Sequence, residues 1–262
     1  VKLEVRCERM VVISDLHLGN PYSLAGRRLG DFIDHWAGQG YALCINGDGL
    51  EIVQSSFMAL ASDALGPLAA LRRVLLAGAP VYYVVGNHDI ALEHLLDTWL
   101  GEHISPFLDV WSGGARVRIE HGHLYDPFFV RSPRTYEALT RAVGPLLHLY
   151  PDVYRVWSWY QSTKARLRGL YAKDAVSPYH EAASMLLARG FDAVIFGHTH
   201  GAELLELDDG VYVNAGNWMR SSNFVRIDAG AVSLHRWSDG HLLAGPTRGE
   251  RNSMVDGQAR GG

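Results

Sequence analysis

Four times along this chain a short apolar run stops abruptly and hands over to residues that bind metals or move protons. Val11-Val12-Ile13 runs into Ser14-Asp15-Leu16-His17, and Ala42-Leu43-Cys44-Ile45 into Asn46-Gly47-Asp48. Val81 to Val85 runs into Gly86-Asn87-His88-Asp89, and Ala193-Val194-Ile195-Phe196 into Gly197-His198-Thr199-His200. Apolar runs of this length, bounded by turn residues, read as buried strands. Open α/β folds keep their sites at the carboxyl edge of such strands. The repetition therefore predicts a layered α/β fold with its chemistry gathered at one edge.

The stretches between the runs agree. A strand at 10–14 leads to a helix at 24–37, where Leu24, Leu29, Phe32, Ile33 and Trp36 make an apolar stripe ended by Gly38 and Gly40. A strand at 41–46, a helix at 56–77 with a kink or break at Gly66-Pro67, a strand at 81–85 and a short helix at 90–100 complete a β-α-β-α-β-α series. Strands Phe107–Trp111 and Arg116–Glu120 flank a Ser112-Gly113-Gly114 turn, and the second delivers His121-Gly122-His123. A helix at 178–189 and strands at 192–196, 202–208, 211–214, 223–228 and 231–237 follow, with Asp208-Asp209-Gly210 as a hairpin turn. One domain is expected over 1–244, since 262 residues is near the upper size for a single core. The Gly, Arg, Asn and Ser-rich tail, 245–262, is expected to be unordered.

Segment 128–173 breaks the alternation. It carries eight Lys or Arg against two acids, a balance of +6, so the rest of a chain of net charge −4 carries −10. It also holds nine aromatic residues, and reads as a helical insertion packed over the site. The overall acidity argues against a nucleic-acid-coating protein. Cys7 and Cys44 are the only cysteines and lack CxxC spacing, which excludes a disulfide framework or zinc ribbon and fits a reducing compartment. Neither a signal-peptide pattern nor a run of about 18 apolar residues occurs, so a cytoplasmic location without a spanning helix is expected.

The polar residues at the strand ends form a coherent ligand set. Asp15 and His17, two apart, can grip one ion if the loop keeps the alternation of the strand. Asp48 follows a glycine, where turn chemistry alone explains it. Asn87 offers a neutral oxygen beside His88, and His198-x-His200 places two imidazoles on one side of an extended segment, suited to transition metals. Glu51 either orients His17 or caps the following turn.

The series Asp15-x-His17, Gly47-Asp48, Gly86-Asn87-His88-Asp89, His121-Gly122-His123 and Gly197-His198-Thr199-His200 resembles the calcineurin-like metallophosphoesterase family, over residues 11–200. The resemblance implies a two-sheet β-sandwich flanked by helices, with two divalent ions (manganese before iron or zinc) at the strand ends. It implies that Asp15, His17 and His200 bind one ion, that Asn87, His121 and His198 bind the other, and that Asp48 bridges them. His88 then serves the leaving group or the transition state beside the metals, with Asp89 orienting it. Two ions about 3.5–4 Å apart generate a bridging hydroxide that attacks phosphorus in line. A similar family block, Asn-x-Gly-x-Trp, gives Asn214-x-x-Asn217-Trp218 a supporting role.

Within the family the layout is similar to the UDP-2,3-diacylglucosamine hydrolase branch, in which an insertion covers acyl chains. That similarity implies cleavage of the diphosphate in an acylated nucleotide-sugar, with association at the inner face of the membrane. His123, Arg131, Arg134, Tyr160, Lys164 and Arg168 are then the expected substrate contacts, with His123 otherwise a structural histidine. The best-known members of the branch have Gly-Asn-Arg-Asp where this chain has Gly-Asn-His-Asp. Two other functions remain open: a nucleotide or nucleic-acid phosphodiesterase, which the acidity disfavours, and a non-catalytic scaffold. A scaffold would be expected to lose ligands, and all seven remain here beside His88.

Overall fold

The structure is a computed structural model that describes residues 3–20, 23–52, 55–89, 104–132, 134, 135, 138, 177–238 and 240–247. Its strands are β1 (Leu3–Arg6), β2 (Arg9–Ile13), β3 (Ala42–Asn46), β4 (Val81–Val84), β5 (Ile104–Ser105), β6 (Phe107–Ser112), β7 (Ala115–Glu120), β8 (Ala193–Phe196), β9 (Glu203–Leu207), β10 (Gly210–Asn214), β11 (Asn223–Asp228), β12 (Ala231–Arg236) and β13 (His241–Thr247). The helices are α1 (Ala25–Gly38), α2 (Phe57–Leu76), the short α3 (Pro127–Arg131) and α4 (Pro178–Leu187). Among the described residues they form one sheet of seven strands, β13-β12-β11-β2-β3-β4-β5, and one of six, β1-β6-β7-β8-β10-β9.

Why the central runs are wholly apolar is now visible. Met10 and Val12 of β2 and Cys44 of β3 face the core between the sheets, meeting Leu108, Val110, Val117, Ile119, Ile195 and Val213. Their neighbours Val11, Ile13, Leu43 and Ile45 face the other way, onto Leu29, Phe32 and Trp36 of α1 and Ala70 and Val74 of α2. Strands covered on both faces cannot alternate with polar residues. On the far side, Ala182, Ala183, Leu186 and Leu187 of α4 cover Val194, Phe196 and Tyr212. The layers are helix, sheet, sheet, helix, in keeping with the two-sheet sandwich expected.

Two expectations change and one strand is added. No break occurs at Pro67: α2 runs unbroken through it, capped by Ser56, whose side chain accepts from Ala59 N at 3.2 Å. A proline inside a helix costs roughly 3 kcal/mol, and its burial with Ala64, Ala70 and Val74 against the core offsets that. β13 extends to Thr247, three residues into the stretch expected to be unordered, because it pairs antiparallel with β12. The added strand, β1, joins β6 in parallel. The helix expected at 90–100, most of segment 128–173 and residues 248–262 lie outside the described residues.

Candidate dinuclear metal site

Parallel pairing brings the ligands together. β2 pairs with β3 and β3 with β4, so the turns after all three emerge at one edge. β8 runs parallel to both β7 and β10, so the two histidine-rich turns of the other sheet also share an edge. Asn46 joins these edges: its Nδ2 donates to Glu120 O at 2.9 Å, and its carbonyl accepts from Ser14 Oγ at 2.6 Å and His121 Nδ1 at 2.8 Å. Asp15 Oδ2 accepts from His198 N at 3.0 Å, a second link between the sheets.

The turns are not continuations of the strands. Asp15, His17, Asp48, His198 and His200 have φ of 55°, 44°, 52°, 64° and 60°. Left-handed backbone costs an L-residue roughly 1–2 kcal/mol, and holding five such residues in one place is a mark of a functional site. The expected same-side geometry of His198 and His200 in an extended segment is thus replaced by divergence. His200 Nε2 lies 3.1 Å from Asp15 Oδ1 and 3.3 Å from His17 Nε2. His198 groups instead with Asp48 and His121. Glycines give the turns room. A Cβ on Gly197 would strike Ser14 Oγ and the Asp15 carboxylate, and one on Gly47, at φ +75°, would enter the His121 ring.

Among the described residues three clusters result, each with its ligand atoms within 4.8 Å of one another: Asp15, His17 and His200; Asp48, His121 and His198; and His17, Asp48 and His88. Asp48 Oδ2 is 3.3 Å from His121 Nε2 and 3.9 Å from His17 Nε2, so one carboxylate oxygen faces both of the first two groups. Its other oxygen accepts from His88 N at 2.9 Å. The His88 ring lies edge-on to His17, centroids 5.0 Å apart.

The family profile for calcineurin-like phosphoesterases matches residues 8–202. The chain belongs to this family. A UDP-2,3-diacylglucosamine hydrolase of Xanthomonas oryzae pv. oryzae is 25% identical over 246 residues, covering 86% of this chain and 98% of the relative. Among solved structures, a point mutant of a cold-active protein tyrosine phosphatase shares the fold, with a TM-score of 0.51, 15% identity, and coverage of 93% of this chain and 83% of that one. A phosphoesterase from E. coli matches with a TM-score of 0.48 and 17% identity over 90% of this chain and 97% of its own.

As a calcineurin-like phosphoesterase the protein is a metal-dependent hydrolase, and its residues suit divalent ions. Burial alone would push Asp15, Asp48 and Glu51 up and His88 and His121 down. Opposite charges win: His200 holds Asp15 at about 2, His121 and His88 hold Asp48 well below the carboxylate range, and His17 and His88 hold Glu51 at about 2. In return Asp48 and Glu51 lift His88 to about 9, and Asp48 lifts His121 to about 10. The acids thus demand positive charge, which a divalent ion supplies directly. Asp15 Oδ1 and His121 Nε2, buried and without a hydrogen bond, point into the cluster as ligand atoms do. Mixed oxygen and imidazole donors fit manganese, iron or zinc.

Not every role falls where expected. Asp89 does not orient His88: it accepts from Gly86 N at 2.6 Å, Gly49 N at 2.9 Å and the Tyr83 hydroxyl, tying its turn to the one after β3. Burial and the Asp48 charge push it up to about 6. Glu51 takes the orienting place, with one carboxylate oxygen 2.7 Å from His88 Nδ1 and the other 2.7 Å from His17 Nδ1. His123 is buried beside His121, His198 and Phe129, and burial with those two imidazoles pushes it down to about 3. Arg131 and Arg134 are exposed, at the end of α3 and just beyond it, while Tyr160, Lys164 and Arg168 lie outside the described residues. Asn87 sits in the turn between Gly86 and His88. Asn214 and Asn217 brace the His198–His200 turn, donating to Gly197 O and His200 O at 2.8 Å each. Sequence reasoning missed Asp126, whose carboxylate reaches His198; an Asp-Pro pair by itself signals a helix start and no such contact.

Proposed function

We propose that this phosphoesterase hydrolyses the diphosphate of an acylated nucleotide-sugar of the UDP-2,3-diacylglucosamine type, using two divalent ions. The observation that carries the dinuclear reading is Asp48, with one oxygen facing ligands of two separate groups. Asp15, His17 and His200 would hold one ion, and His121, His198 and Asn87 the other. The ions supply an activated water at neutral pH and positive charge against the phosphoryl oxygens. His88, held by Glu51, protonates the leaving oxygen. Its ring is 11% exposed, so it can meet substrate while its other nitrogen stays fixed.

Two observations support the substrate class. The Xanthomonas relative bears that name and aligns along nearly its whole length. Beside His123, the described surface carries exposed Leu124, Phe128 and Val130 next to exposed Arg131 and Arg134. Apolar side chains next to cations suit an acyl chain joined to a diphosphate, and a protein working at the inner surface of a membrane. Among the described residues no helix is long and apolar enough to cross one.

The test is an assay of manganese-loaded protein on UDP-diacylglucosamine, bis-p-nitrophenyl phosphate and single-stranded DNA, with and without detergent. Release of UMP from the lipid nucleotide, enhanced by detergent, is expected. Cleavage of DNA with no action on the lipid nucleotide would replace this reading with a nucleic-acid phosphodiesterase. Cleavage of neither ester nor diphosphate would point to a scaffold.

A further inference from the structure

The histidines of the site follow a rule at their second nitrogens. His17 commits Nδ1 to Glu51 at 2.7 Å, and His121 commits Nδ1 to the Asn46 carbonyl at 2.8 Å. Each thereby keeps Nε2, the nitrogen facing Asp48, as its ligand atom. His198, which groups with Asp48 and His121, commits the other ring nitrogen: its Nε2 lies 3.1 Å from Asp126 Oδ2. Asp126 is also bound from the other side. Its Oδ1 accepts from Phe128 N at 2.8 Å and Phe129 N at 3.4 Å, capping α3.

We propose that Asp126 is the positioning residue of the second metal group: by accepting the Nε2 proton of His198 it leaves the lone pair on Nδ1 for the ion, and its cap ties that ligand to the start of α3. A nitrogen that donates a proton cannot bind a cation, so the partner of one ring nitrogen decides which nitrogen coordinates. Carboxylate partners of this kind also fix ring orientation and raise ligand basicity. The inference rests on the two-metal reading above and assigns this chain a contact that reading does not require.

Two variants separate positioning from capping. The side-chain amide of D126N has one carbonyl oxygen, which can serve either the cap or His198 but not both. An amide NH2 turned toward His198 would offer a donor where an acceptor is needed. In D126S the hydroxyl still caps α3 but is too short to reach His198. Wild type, D126N and D126S are titrated with Mn2+ by calorimetry, with metal content and the electron paramagnetic resonance of the bound manganese read alongside. Expected are an unchanged melting point of the metal-free variants, a first Mn2+ bound as in wild type, and a second bound about 10–100-fold more weakly, with loss of the spin-coupled pair signal. Wild-type affinity for both ions in D126S overturns the proposal alone. Equal weakening of both ions with a lowered melting point also overturns it, as the mark of a merely structural role. A wild-type protein that binds fewer than two ions removes the two-metal reading, and the proposal with it.

Discussion

Glu51 holds two rings with one carboxylate, and that sharing makes His88 separable from the metal ligands. In H88A, Glu51 keeps its bond to His17, so the first ion site is expected to survive while the proton donor is gone. Turnover should fall by about 10²–10⁴-fold with metal content unchanged; loss of an ion would instead make His88 a ligand, as its proximity to His17 and Asp48 permits. Away from the site, His235 sets a pH dependence of stability. Burial first, then the nearby Arg226 charge, push it down to about 4, while its ring stacks on Phe224 and bonds Ser233. The unfolded chain takes up a proton as pH falls through its ordinary value near 6.5, and the folded chain does not until about 4. Stability should therefore fall across that window and level off below it. H235F should show a shallower loss in urea midpoints between pH 6.5 and 4; an unchanged slope would clear His235 of the effect. Roles of this kind were only partly legible. His88 stands out in Gly-Asn-His-Asp, but the choice between Asp89 and Glu51 as its partner depends on which side of the turn each carboxylate faces.

Among the elements, the strand-and-helix series is legible because each piece carries its own signal. The stripe of Leu29, Phe32, Ile33 and Trp36 marks α1, and in the structure it lies on β2 and β3 beside Trp218, Phe224 and Trp237. Phe32 is the centre of that packing, with four aromatic neighbours at 5.0–6.2 Å between centroids. F32A should lower unfolding free energy by about 3–5 kcal/mol, measured by urea denaturation, with the catalytic groups untouched; a loss under about 1 kcal/mol would mean the neighbours close the gap. Local signals misled where tertiary contacts outweighed them. Pro67 usually ends a helix, yet its position on the buried face of α2 keeps the helix intact. β13 has no clear alternation, and exists because β12 offers it an edge.

Taken whole, the molecule is two sheets whose ligand turns meet across an interface. Asp15, His17 and Asp48 come from the seven-stranded sheet, and His121, His198 and His200 from the six-stranded one. Ions bound there would link the sheets, so Mn2+ should stabilise the fold as well as activate it. At a hundredfold excess over Kd one site contributes about 2.7 kcal/mol, a rise in melting temperature of about 5–10 °C for a chain of this size, reversed by EDTA. Activity restored by Mn2+ without any thermal shift would contradict the linkage. By itself the sequence determined the layered α/β class, the strands that end in polar turns and the ligand types, since these rest on short-range patterns of burial and turn chemistry. The division of the ligands was implied by the resemblance and by no local pattern; its physical cause lies in the tertiary structure. His198 and His200 are two residues apart, yet left-handed backbone sends one toward Asp48 and His121 and the other toward Asp15 and His17. Asp126 finds its histidine 72 residues on. No local pattern encodes such pairings, because they are fixed by which strands lie side by side.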